Sequence, residues 1–213
     1  MPAGDVLHLR NQKGVAFKGR NRGRFSVARA YEEAGAAALS VLTEPDYFQG
    51  CGRYLAEIRE VVDIPVLRKD FVIDPFQIEQ SALLGADAIL LICAILTPDQ
   101  LAAYIRTADS FGLSAFLEAH NEAELKTALE AGARVIGVNN QDLKTFAVDT
   151  GNSIRLRKFA PKDVAFVSES GIRTQEDIAL LRQNDVDAVL IGETLMRAPD
   201  KKAALSALMR DGL

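Results

Sequence analysis

The sequence predicts an α/β protein, a single-domain (β/α)8 TIM barrel over residues 1–213, and three observations lead there. One segment type recurs four times: AGAAALSVL (34–42), LGADAILLI (84–92), AGARVIGVN (131–139) and NDVDAVLIG (184–192). Each copy closes a helical pattern at Gly, or at Asp185 in the last, and then enters a nearly unbroken apolar strand. Strands of that kind are covered on both faces, as in a parallel sheet flanked by helices. The second observation is the spacing of roughly 50 residues, too long for one strand–helix unit and right for two. The third is a weaker strand pattern in each gap: IPVLRKD (64–70), LSAFLEA (113–119) and VAFVSES (164–170).

In chain order, Val6–Leu9 supplies the first strand. Asp74-Pro75 opens a helix to about Leu84, and Thr97-Pro98-Asp99 opens another to about Phe111. Asn121-Glu122 opens EAELKTALEAG, and Thr174-Gln175-Glu176-Asp177 opens a helix through about Arg182. In each, an Asp, Thr or Asn side chain can accept from the free N–H groups of the first turn, where Pro is also harmless. Eight strands, each followed by a helix, favour a closed barrel. An open doubly wound sheet is the alternative.

Composition narrows the partners. Apolar residues make up 48% and charged residues 25%, ordinary for a globular chain, and the net charge of −4 argues against nucleic acid or acidic membranes. Cys51 and Cys93 lack CxxC spacing, and Cys93 inside AILLICAIL reads as core filler. No apolar run approaches ~18 residues and no signal peptide is evident, so a cytoplasmic location is expected. A monomer or weak homodimer is expected too.

Six strands end polar while their interiors are almost wholly apolar: Thr43-Glu44, Lys69-Asp70, Glu118, Asn139-Asn140, Glu169-Ser170-Gly171 and Gly192-Glu193. In a barrel these ends converge on the face where the βα loops meet. Asp70, Asp74 and Asn121 read as helix caps. Lys69, Glu118 and Glu169 do not, because Lys is a poor cap and each directly follows apolar residues. VLRKDF puts three charges in a row after a core strand, and an unpaired buried charge costs several kcal/mol. A Lys flanked by two carboxylates stays protonated, and crowding the carboxylates raises the pKa of one. That set moves protons without a metal. His8 and His120 lack ligand spacing, so neither metal nor cofactor is expected. Ser170-Gly171 and Gly192-Glu193 close strands seven and eight, the corner that commonly holds a phosphate on bare backbone N–H groups. Glu193 should then turn its side chain away.

SVLTEPDYFQG, PVLRKDFVIDPFQI, GADAILLI, IGVNNQDLKTF, VSESGI and LIGETLMR resemble the indole-3-glycerol-phosphate synthases of tryptophan biosynthesis, over roughly residues 27–213. The resemblance implies a carboxy-lyase: ring closure and decarboxylation of 1-(2-carboxyphenylamino)-1-deoxyribulose 5-phosphate, a phosphorylated small molecule. It implies Lys69 as the general acid and Glu118 as the proton-transferring partner in dehydration. Asn139 and Glu169 would orient substrate hydroxyls and the Lys69 ammonium. Phe48 and Phe71 would contact the anthranilate ring. Ser170, Gly171, Gly192 and the Glu193 backbone would hold the phosphate.

The chain departs from that pattern at its start. The family's first strand carries Glu-x-Lys before a Ser-Pro-Ser-Lys-Gly loop. Here GDVLHLRNQKG places either Asp5 and Leu7, or Leu7 and Leu9, at the pair, so the Lys is absent on either count. No counterpart of the N-terminal helical extension is expected within residues 1–213, and Gln141 stands where an Arg usually follows Asn-Asn. Residues 10–24, with Arg10, Lys13, Lys18, Arg20, Arg22 and Arg24, read as a basic, mobile loop. Positive charge for the phosphate, or a nucleic-acid arm, are its other readings. Reduced synthase activity is therefore expected. A catalytically impaired barrel that only binds a phosphate ligand, or another sugar-phosphate lyase or isomerase, stays open.

Overall fold

A computed structural model describes residues 6–9, 22–142, 145 and 147–209. The strands are β1 (Val6–Leu9), β2 (Ala38–Leu42), β3 (Val66–Lys69), β4 (Ala88–Ile92), β5 (Ser114–Ala119), β6 (Val135–Asn139), β7 (Ala165–Glu169) and β8 (Ala188–Ile191). Helices alternate with them: α1 (Arg22–Glu33), α2 (Gly52–Arg59), α3 (Pro75–Leu83), α4 (Pro98–Ser110), α5 (Glu122–Glu130), α6 (Gly151–Arg157), α7 (Gln175–Gln183), α8 (Glu193–Arg197) and α9 (Lys201–Met209). From β2 to β8 each strand pairs in parallel with the next, giving one curled sheet, a TIM-barrel-like fold in one domain. β1 runs parallel to both end strands, with Leu7 opposite Leu39 on β2 and Ile191 on β8.

Alternation along each strand sorts side chains into two layers. Ile89, Leu91, Leu117, Ile136, Val138, Phe166, Val189 and Ile191 belong to the large core between sheet and helices. Their neighbours Leu67, Leu90, Ile92, Phe116, Val167 and Leu190 fill a smaller core inside the sheet's curve. One step of two further along the inward row lie Lys69, Glu118, Asn139 and Glu169. The apolar inner core is therefore the floor of a polar mouth.

The helix boundaries follow local chemistry. Asp74, Thr97 and Thr174 form capping boxes with Gln77, Gln100 and Asp177, and Asn121 accepts from the Glu124 N–H. Asp70 corrects the expectation of a cap: it starts no helix and pairs with Arg68 instead. α1 begins at Arg22, so residues 22–24 of the expected loop are helical, whereas 10–21 lie outside the described residues. α8 is a single short helix, and α9 adds Leu205 and Leu208 to the outer core against α1 and α7. No helix among the described residues is long and apolar enough to cross a membrane.

All four repeat copies turn through a left-handed residue: Gly35 at φ +92°, Gly85 at +83°, Gly132 at +90° and Asp185 at +59°. Only the last carries a Cβ there. Relief of about 1 kcal/mol of left-handed strain, against roughly 0.5 kcal/mol of added unfolded-chain entropy, gives Asp185→Gly a net gain of about 0.5 kcal/mol. Urea unfolding of the two proteins measures it, and a loss would show that Asp185 makes a compensating contact.

Candidate active site

The charged run at the end of β3 divides by strand alternation. Arg68 and Asp70 point outward, away from the mouth, and form a buried ion pair of 2.8 Å. The guanidinium also donates to Gln77 O and Ser81 Oγ, both 3.1 Å, and to Thr43 Oγ1 at 3.1 Å, so most of its N–H groups are used. Lys69, between them, points inward. Its Nζ lies 2.9 Å from Glu118 Oε2 on β5 and 2.8 Å from Glu169 Oε2 on β7. Three charges in a row thus serve two separate networks on opposite faces of one strand.

The inner triad is nearly dry: the side chains of Lys69, Glu118 and Glu169 are only 12%, 5% and 2% exposed. Burial alone would lower the Lys69 pKa, but the two carboxylates reverse that and hold it well above its ordinary value. Burial would also raise Glu118, yet the Lys69 ammonium and His120 hold it well below the usual carboxylate range. Glu169 goes the other way. Burial, set against Lys69 and reinforced by the Glu118 charge, lifts it to about 6. Two carboxylates on one ammonium are therefore unequal, the usual signature of separate acid–base duties.

Asn139, the last residue of β6, directs Nδ2 to Glu118 Oε1 at 3.3 Å and accepts from Gln141 N at 3.0 Å. Asn140 points outward, donating to Ser168 Oγ (3.0 Å) and to Ser170 O (3.1 Å) while accepting from Ser153. Gly137 lies on β6 opposite Glu118. A Cβ there would overlap Glu169 Oε1 and the Phe116 ring, so the triad needs a bare backbone at this point. Glu169 Oε1 is buried with no hydrogen-bond partner among the described residues.

At the corner beyond β7 and β8, Ser170 and Gly171 are consecutive left-handed residues, φ +69° and +82°. Thr194 Oγ1 ties the two loops by donating to Ile172 O at 2.8 Å. The Glu193 carboxylate turns outward to Arg197 at 2.7 Å, both side chains exposed. Across the mouth, Phe48 stacks on Phe71 with centroids 5.2 Å apart, and Tyr47 meets Phe71 edge-on. Glu44 builds that wall: its carboxylate accepts the Asp46, Tyr47 and Phe48 N–H groups at 2.9, 2.6 and 3.0 Å.

Every sequence-predicted site residue thus lies at this end of the sheet, in three groups: the triad with Asn139, the corner, and the aromatic pair. Missing from the expectation was His120. Its Nδ1 faces Glu124 Oε2 at 3.0 Å, and its Nε2 sits 3.4 Å from Glu118 Oε1, outside hydrogen-bond geometry. Burial would lower its pKa, but the two carboxylates push it up to about 9. The His-x-x-x-Glu spacing across a helix start was the available signal.

Residues 19–208 match the family model described as indole-3-glycerol phosphate synthase. The chain belongs to the indole-3-glycerol phosphate synthase family. The synthase of Ruminiclostridium cellulolyticum is 59% identical over 182 residues, 85% of this chain and 70% of that one. That of Endomicrobium trichonymphae is 58% identical over 172 residues, 81% and 67% of the two chains. The fold is also that of 3-hexulose-6-phosphate synthase from Salmonella typhimurium, with a TM-score of 0.80 at 15% identity, covering 97% of each chain. In this synthase-family chain the family-model match starts at residue 19.

Removing the ammonium leaves two buried carboxylates facing each other. Lys69→Met should cost about 3–5 kcal/mol of stability near pH 8. Both carboxyls then titrate higher in the folded than in the unfolded state, so stability rises as pH falls and the deficit shrinks toward pH ~5. Urea midpoints at the two pH values test this; an equal deficit at both would mean the three groups are not electrostatically coupled.

Proposed function

We propose that this chain converts 1-(2-carboxyphenylamino)-1-deoxyribulose 5-phosphate to indole-3-glycerol phosphate, releasing carbon dioxide and water. The observation that carries this reading is the Lys69 ammonium held 2.9 and 2.8 Å from two carboxylates at the polar mouth. Lys69 donates its proton to the substrate carbonyl oxygen as the carboxylate-bearing ring carbon attacks the carbonyl carbon. Carbon dioxide departs from that ring carbon, which regains aromaticity. The new hydroxyl then leaves as water, taking up one proton from solvent, while Glu118 accepts the proton of the adjacent ring carbon as the ring double bond forms and returns it to Lys69. Glu169, gripping only Lys69, aims the ammonium, and Asn139 steadies Glu118 and the substrate hydroxyls.

The corner supports a phosphate site: Ser170, Gly171 and Gly192 bring backbone close without a carboxylate, since Glu193 faces outward. Phe48 and Phe71 offer an apolar face for the anthranilate ring. We read the sheet as closing into an eight-stranded barrel, supported by the pairing of Leu7 with both end strands. A binding-only barrel draws on one observation, that the family-model match starts after a first strand with Leu at positions 7 and 9.

Product fluorescence decides between them: the synthase forms indole-3-glycerol phosphate, the binding-only barrel binds a reduced substrate analogue without turnover. Lys69→Ala should abolish turnover, and Glu118→Gln should lower kcat by roughly 10²–10⁴-fold. Parental rates in either variant would remove these assignments. Leu7→Lys or Leu9→Lys should raise activity. The pH profile adds a further check. Below about 6 Glu169 takes up a proton and releases its hold on Lys69, so kcat/KM should fall on the acid side with a midpoint there. Glu169→Gln should remove that limb.

A further inference from the structure

We propose that His120 is a positioning residue for Glu118, the link that carries an alternating ladder of charges from the start of α5 into the mouth. The inference rests on the reading of Glu118 as the proton acceptor. The ladder begins at the helix cap. Asn121 Nδ2 donates to Glu124 Oε1 at 2.7 Å, and the Glu124 N–H returns a bond to Asn121 Oδ1 at 3.0 Å. Glu124 Oε2 then accepts the His120 backbone N–H at 2.8 Å and faces its Nδ1 at 3.0 Å. Asn152 Nδ2 on α6 pins the His120 carbonyl at 3.1 Å. With backbone and Nδ1 both fixed, the ring can present only Nε2 to the mouth, and that atom is buried beside Glu118 Oε1 at 3.4 Å.

Glu118 is therefore held at both oxygens by positive or donor groups: Oε2 by Lys69, Oε1 by Asn139 and His120. The order Glu124, His120, Glu118, Lys69, Glu169 alternates in sign, and each member neutralises the next. Among the described residues the Cys93 thiol also feels this ladder: burial, then the Glu124 and Glu118 charges, push it up to about 12, so it adds no charge. A carboxylate that accepts a proton and then releases it must return to one orientation and one charge state every turnover. An imidazolium on Oε1 opposite an ammonium on Oε2 makes that state the minimum.

The test compares the parent with His120→Ala and His120→Gln from about pH 5 to about pH 9, with carbon-13 titration of Glu118 in the ligand-free protein extended down to about pH 2. His120→Ala should lower kcat roughly ten- to a hundred-fold with KM changed less than about two-fold, and Glu118 should titrate higher. Gln places a neutral N–H donor beside Oε1 without the charge and should recover part of kcat. Melting temperatures separate misfolding from mispositioning. The proposal is overturned if the Ala variant keeps parental kcat, or if Ala and Gln are equally impaired and the Glu118 titration does not move. Should the parent itself form no product, the synthase reading fails, and the ladder is judged by titration: an unmoved Glu118 in His120→Ala ends it.

Discussion

One ammonium between two carboxylates, almost without water, is the interaction around which this mouth is arranged. Each of the three ions would cost several kcal/mol to bury alone. Together they are tolerable only at short, fixed separations, and this imposes demands on four strands. β3 must turn Lys69 inward, β5 must place an inward Glu one residue before its end and β7 one at its end, and β6 must offer no side chain at Gly137. The apolar floor beneath, with Phe116 and Val167 one step below the acids, keeps solvent from screening the triad.

Much of this was legible in sequence because it is local. Caps at Asp74, Thr97, Asn121 and Thr174, and left-handed turns at three glycines and Asp185, depend on a few neighbouring residues each. Lys69, Glu118 and Glu169 stood out because a charge abruptly follows an apolar run. The roles of Arg68 and Asp70 were less visible, although strand alternation alone puts them on the face opposite Lys69. His120 and Asn140 were hidden for different reasons. The partners of Asn140, namely Ser153, Ser168 and Ser170, come from the next strand and loop, which no short window contains, whereas those of His120, Glu118 and Glu124, lie within four residues and needed only the strand-to-helix turn to be read.

Membership in the synthase family and divergence of the first strand fit together physically. Lys69, Glu118 and Glu169 come from β3, β5 and β7, remote from β1, so their mutual attraction survives changes at positions 7 and 9. Asn140 likewise anchors the Ser170 carbonyl from β6. The triad and this anchor thus lie within residues 19–208, the stretch that matches the family model.

Glu44 gives the aromatic side of the mouth a distinct property. By gathering three successive amides, it folds residues 44–48 into their stacked arrangement using only this chain's own groups. A planar guest settling there meets a surface already in its final shape, so the entropy lost on docking is largely the guest's own. Capture at that wall should then be limited by diffusion into the mouth rather than by the slower ordering of a loop.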